Sequence, residues 1–175
     1  DAKLNEFELL KSMVERMEGF PESMKYLNAN WKKNVPVLSD IIVVNEKFRP
    51  AIELFLEPYL NYYLVKDENE AIDAIRLLHK NVKGKANFFI LNKFNDQTYT
   101  KLNPPSDSEE AISLVESDSL YQPLLKYLLS NVYIANVEYD IENAGTLVEG
   151  ITLLSPNGTF LKQSKSISGG SSGLF

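Results

Sequence analysis

The chain has 175 residues, of which 44% are hydrophobic and 24% charged, with a formal net charge of −6. That balance is ordinary for a soluble globular protein, is enough to bury one core or two small lobes, and argues against nucleic-acid binding by the surface as a whole. No apolar run reaches the ~18 residues of a membrane helix, the first residues are no secretion signal, and the lack of cysteine excludes disulfides, thiolate metal sites and thiol catalysis, as suits a reducing cytoplasm.

Residues 4–18 hold no Gly or Pro and read as a helix. Phe7, Leu10, Val14 and Met17 recur at spacings of three and four, the a and d seam of a short coiled coil. An amphipathic helix packed on its own domain fits two heptads as well. The helix opens without a cap, so the expectation is the end of a longer coiled-coil arm over residues 1–18. Gly19-Phe20-Pro21 breaks it, and residues 24–27 form a helical turn leading to Trp31.

The apolar, β-branched run 37–44 predicts a buried strand. Pro50 suits the first turn of a helix, and Phe48, Ile52, Phe55, Leu56 and Tyr59 share one face of it. Residues 62–65 return as a strand. Asp67 is an N-cap with Glu70 three residues on, opening a helix to about Lys80 whose buried face is Ala71, Ile72, Ile75 and Leu78. Lys83-Gly84-Lys85 is a turn, and residues 86–91 form the next strand.

Residues 92–110 shift to Asn, Asp, Ser and Pro and predict a surface loop between two lobes. Residues 111–115 fit helix or strand equally. Leu120, Leu124, Leu125, Leu128 and Leu129 lie on one helical face with Pro123 in the first turn, and residues 132–137 form a strand. The remainder is punctuated by Gly145, Gly150, Gly158, Gly169, Gly170 and Gly173, with Ser155-Pro156-Asn157-Gly158 as a hairpin turn.

Catalytic signatures are weak. His79 is the single histidine and sits at a helix end. No serine lies in a G-x-S-x-G elbow. The run 168–173 lacks the lysine of a phosphate-binding loop. Two basic stretches, Lys80, Lys83 and Lys85, then Lys162 and Lys165, read first as solvated turns and second as weak contacts to DNA phosphates. No cofactor, metal or small-molecule substrate is expected. The rival class is a small-molecule-binding or hydrolytic α/β domain that uses the glycine-rich end.

Several stretches together carry a resemblance: L-S-D-I-I-V with E-K-F-R-P-A-I-E, then L-N-Y-Y-L-V, G-K-A-N-F-F-I-L, L-Y-Q-P-L-L-K-Y-L-L-S-N-V-Y-I-A, and the C-terminal T-L-x-E-G, L-x-S-P-N-G and S-G-G-S. The pattern resembles the hinge domain of SMC (structural maintenance of chromosomes) proteins, of the bacterial type. The resemblance implies a mixed α/β (α+β), two-lobed fold with a coiled-coil stem. Its parts would be an arm at 1–18, a first lobe at 19–91, an inter-lobe loop at 92–110 and a second lobe at 111–175. It implies a non-catalytic dimerisation module that pairs with a second hinge, as a homodimer, within a cytoplasmic, nucleoid-associated chromosome-organising ATPase. It places the dimer contact at the glycines, here Gly145, Gly150, Gly158, Gly169 and Gly170, although seven residues separate Gly150 from Gly158 where the family pattern has six.

Overall fold

The structure, a computed structural model, describes residues 20–138 and 140–171. The expected seam of Phe7, Leu10, Val14 and Met17 lies outside the described residues. In chain order come α1 (Glu22–Asn30), α2 (Leu38–Ile41), β1 (Val43–Val44), α3 (Arg49–Leu56), β2 (Tyr63–Val65), α4 (Glu68–Lys80) and β3 (Phe88–Ile90). They are followed by β4 (Ser108–Glu110), β5 (Val115–Glu116), α5 (Gln122–Leu128), β6 (Val132–Ala135), α6 (Asp140–Asn143), β7 (Thr152–Leu154), β8 (Phe160–Lys162) and β9 (Ile167–Gly169).

Two compact units result. One takes in the described residues up to Ile41 with Tyr59–Asp96, the other Ile42–Pro58 with the residues from Gln97 onward. The expected first lobe over 19–91 is therefore interrupted, for two local reasons. β1 pairs antiparallel with β5, Val43 opposite Glu116 and Val44 opposite Val115. The carbonyl of Pro50, at the start of α3, lies against Gly158. The expected loop 92–110 is likewise divided: Asn92 N–H donates to the Lys66 carbonyl (3.3 Å), while Ser108–Glu110 is strand β4.

In the first unit β2 and β3 are parallel, Tyr63 opposite Phe88 and Val65 opposite Ile90, with α4 as the crossover. Parallel strands need such a connection, because a tight turn cannot reverse the chain twice. Ala71, Ala74 and Leu78 of α4 pack with Met24 and Leu27 of α1 and with Tyr63 and Val65 of β2. Trp31 sets its edge against Tyr63 and Phe88 at 5.6 and 5.8 Å between ring centroids. The α4 N-cap is as expected: Asp67 accepts from Glu70 N–H (3.0 Å), and Glu70 accepts from Lys66 N–H (3.2 Å).

Two expectations for the residues up to Lys80 fail. The run 37–44 is a strand only at Val43–Val44, because its Ser39-Asp40 pair turns the chain first. Asp40 accepts from Val37 N–H at 2.9 Å and its own N–H donates to the Val37 carbonyl at 3.0 Å, a local closure that competes with a ladder. Ile75 is 49% exposed rather than buried. The buried positions 71, 74 and 78 are filled by Ala, Ala and Leu, and Ile75, one residue on from Ala74, is turned about 100° away from the core.

The second unit is a five-stranded sheet in the order β4-β6-β7-β8-β9, antiparallel except for β6 beside β7. Tyr133, Ala135, Ile151 and Leu153 of this sheet pack with Ile141 of α6 and with Leu147. Leu124, Leu125, Leu128 and Leu129 are buried as the spacing requires. Leu120 is 59% exposed, since it sits ahead of α5 in a 3-10 turn where Asp118 accepts its N–H at 3.0 Å. Asn131, at φ +57° in the turn after α5, ties down an earlier segment: its amide donates to the Thr100 carbonyl and its oxygen accepts from Leu102 N–H, both at 2.9 Å.

Candidate functional site

The glycine-rich end builds a β7–β8–β9 meander. β7 and β8 join at the expected turn, where Gly158 N–H donates to the Ser155 carbonyl (3.1 Å) at φ +77°. β8 and β9 pair with Phe160 opposite Gly169 and Lys162 opposite Ile167. Gly170 N–H donates to the Thr159 carbonyl and Gln163 N–H to the Ser166 carbonyl, both at 2.9 Å. In an antiparallel ladder, hydrogen-bonded and non-hydrogen-bonded pairs alternate. The backbone groups of Ile167 and Gly169 therefore point away from β8, along an edge that has no strand beside it among the described residues.

That edge is exposed along its whole length, with Ile167 61% accessible. An unpaired strand edge carrying a β-branched residue is a template for another strand. β3 in the first unit also has β2 on one side and no strand on the other among the described residues, although its residues are half-buried. Neither free edge is marked in the sequence by periodicity; the one signal is Ile167-Ser168 ahead of paired glycines, too short to read as a strand.

The five candidate glycines do not form one cluster. Gly158, Gly169 and Gly170 lie where β8 begins. Gly145 and Gly150 belong to the loop before β7, near the end of β8. Two of them are required by their own chain. A Cβ on Gly158 would stand 2.6 Å from the Pro50 carbonyl oxygen, and one on Gly169 would stand 1.8 Å from that of Thr159. Gly150 faces Leu102 Cδ1 at 3.0 Å, while Gly145 and Gly170 face open space.

The basic candidates divide as well. Lys162 Nζ donates to the Gly145 carbonyl at 2.8 Å, Lys165 lies 3.8 Å from Glu149, and Ser164 also bonds Glu149, so both lysines strap the 145–150 loop to the β8–β9 turn. Lys83 pairs with Glu22 at 3.1 Å and covers the Tyr26 ring at 5.7 Å. Lys80 and Lys85 are exposed, with no ion pair seen for either among the described residues. His79 is exposed at the end of α4.

No cluster of metal-ligating side chains occurs among the described residues. A cavity of about 390 Å³ in the second unit is lined by the 103–107 loop, Asp140, Asn143, Leu147 and Ile151, and none of the candidate glycines borders it. Its lining also includes the hydroxyl side chains of Ser106 and Thr146 and the carboxylate of Asp107.

Residues 32–144 match the family model of the SMC proteins flexible hinge domain. The chain belongs to the SMC hinge family. It is 33% identical over 132 residues to the chromosome partition protein Smc of Chlorobaculum tepidum, which covers 74% of this chain and 11% of that protein. It is 28% identical over 178 residues to the Smc of Halothermothrix orenii, covering 97% of this chain and 15% of that one. The hinge thus spans a small part of the length of these curated relatives.

Solved hinges share its fold. The Geobacillus stearothermophilus SMC hinge domain, determined as an asymmetric dimer, aligns with a TM-score of 0.74 at 23% identity over 98% of this chain and 74% of that one. The Pyrococcus furiosus SMC hinge domain aligns with a TM-score of 0.69 at 22% identity over 98% and 93%. The mixed α/β hinge fold implied by the sequence is therefore the fold observed.

Proposed function

We propose that this hinge joins two SMC chains by strand addition at β9. Two copies related by a two-fold axis would set β9 of one against β3 of the other, and the symmetry repeats the contact, so that these two edges of each copy are used and the assembly closes. The observation that carries this reading is the outward-facing backbone of Ile167 and Gly169 on an exposed edge. Gly170, with open space where a Cβ would stand, allows close approach of a second backbone. The chain then acts as the dimerisation element of a longer chromosome-organising ATPase, with ATP chemistry elsewhere in that protein and pairing between identical chains.

The test is Ile167→Pro. Proline removes the outward N–H without touching a hydrogen bond to β8, so a folded monomer is expected by sedimentation equilibrium, with the melting curve as the check on folding. A variant that stays folded and dimeric would place the contact elsewhere.

The exposure of Lys80 and Lys85 supports a second role, a weak, sequence-independent contact with DNA phosphates. Reversing both to Glu should weaken binding to a labelled duplex at low salt, and wild-type affinity should fall steeply as salt rises. No binding by the wild type at low salt would leave these lysines as solvated side chains.

A further inference from the structure

The cavity of about 390 Å³ in the second unit is used by neither the β9 contact nor the exposed lysines. Both of its walls are anchored. On one side the 103–107 loop is fixed where Asn136 N–H donates to the Asp107 carbonyl (2.9 Å) and Ser108 Oγ to the Pro105 carbonyl (2.7 Å). Asp107 itself is left-handed, at φ +55°. On the other side the 144–148 loop is held by Lys162 Nζ on the Gly145 carbonyl (2.8 Å) and by Ile151 N–H on the Val148 carbonyl (3.1 Å). The cavity is therefore formed without an occupant, and its volume is that of a small-molecule site rather than of a protein groove.

Its lining is of two kinds. Ala135, Leu147, Ile151 and Leu153 belong to the core, and each is 7% exposed or less, so they make an apolar floor. Asn103, Asp107, Asn143 and Thr146 are exposed and ring the mouth, with Asp140 half-buried among them. Among the described residues no Lys, Arg or His borders the cavity, and no ion pair or side-chain hydrogen bond is seen for the carboxylates of Asp107 or Asp140.

We infer that this cavity binds a small aliphatic amine, its alkyl chain on the apolar floor and its ammonium group at the carboxylates. An ammonium only donates hydrogen bonds, and carboxylate and side-chain amide oxygens at the mouth accept them. An anion would meet two carboxylates and no cation. A bare metal ion would lack a set of three ligating side chains, since no such group occurs among the described residues. A wholly apolar molecule would take the carboxylates out of water with nothing in return. Asp and Glu outnumber Lys and Arg two to one in this unit, which concentrates cations near the mouth. The site borders none of the candidate glycines, so it stands whether or not pairing runs through β9.

The probe is 1,5-diaminopentane, titrated into the full chain at low salt and followed through the amide shifts of the protein by NMR. Saturable shifts are expected at Asp107, Ala144, Leu147 and Ile151, with a dissociation constant of about 1 mM for so small a ligand. The neutral 1,5-pentanediol should bind at least about tenfold more weakly, because it makes no charge-assisted hydrogen bond. Asp107→Asn keeps a residue that tolerates the left-handed backbone and should weaken diamine binding by about threefold or more. Glu116→Gln, which removes an exposed carboxylate outside the cavity, should leave it unchanged. Shifts that spread over the acidic surface without saturating, or that magnesium chloride reproduces at the same residues, would overturn the site. So would undiminished binding by Asp107→Asn, or an equal loss in Glu116→Gln.

Discussion

Gly169 lies so close to Thr159 that a Cβ on it would stand 1.8 Å from the Thr159 carbonyl oxygen, the same oxygen that accepts the Gly170 N–H at 2.9 Å. The glycine is thus explained by the β8–β9 ladder before any partner is invoked, and charged substitutions there would confuse loss of folding with loss of pairing.

Gly169→Ala is accordingly expected to detach β9. Loss of two or three ladder hydrogen bonds at ~1 kcal/mol each costs about 2–3 kcal/mol, or about 4–12 °C in melting temperature for a domain of this size. Gly170→Ala meets no atom within 4 Å and carries only the backbone strain of φ +131°, so its loss should be clearly smaller. Calorimetry on the two variants checks the order.

Val82 gives a change of opposite sign. Its side chain is 87% exposed and its backbone left-handed, so replacement by glycine removes strain and forfeits little burial. Val82→Gly should stabilise the chain by about 0.5–1 kcal/mol in urea unfolding. A loss of stability would mean that Val82 makes contacts in the single chain that its exposure does not suggest.

Lys32 and Glu70 couple α4 to the segment after α1 through a 2.9 Å ion pair in which the Glu70 side chain is only 15% exposed. Burial alone would raise the Glu70 pKa, but the hydrogen bonds from Lys32 and from Lys66 N–H outweigh it and hold the carboxyl below its usual value. A depressed acid contributes stability above its unfolded pKa and loses it as pH falls through the folded one. Lys32→Gln should therefore destabilise the chain at neutral pH, and the gap from wild type should close as pH drops below about 4. A gap that persists unchanged at pH 2–3 would show that the lysine acts through packing of its alkyl stem.

Much of this fold was legible in the sequence because the signals were local. The N-cap at Asp67, Pro50 in the first turn of α3, the leucines of α5 and the turn at 155–158 each follow from chemistry within a few residues. What was not legible depends on contacts distant in sequence. Val43 and Val44 join β5 some seventy residues away, which moves α3 into the second unit, and no periodicity records that pairing. Ile75 reads as core because its neighbours on the helix are apolar; only the choice of small residues at 71 and 74 reveals which face closes on the sheet. The glycines were legible as a group but not in their roles, since the atoms that exclude a Cβ belong to Pro50 and Thr159. The free edge of β9 is a property of what is missing beside it.

Sedimentation equilibrium of the wild-type chain at micromolar concentration tests hinge pairing most directly. Pairing through β9 predicts a mass twice the 19.9 kDa of one chain, maintained on dilution across that range. A single species of 19.9 kDa at every concentration in the range would contradict it.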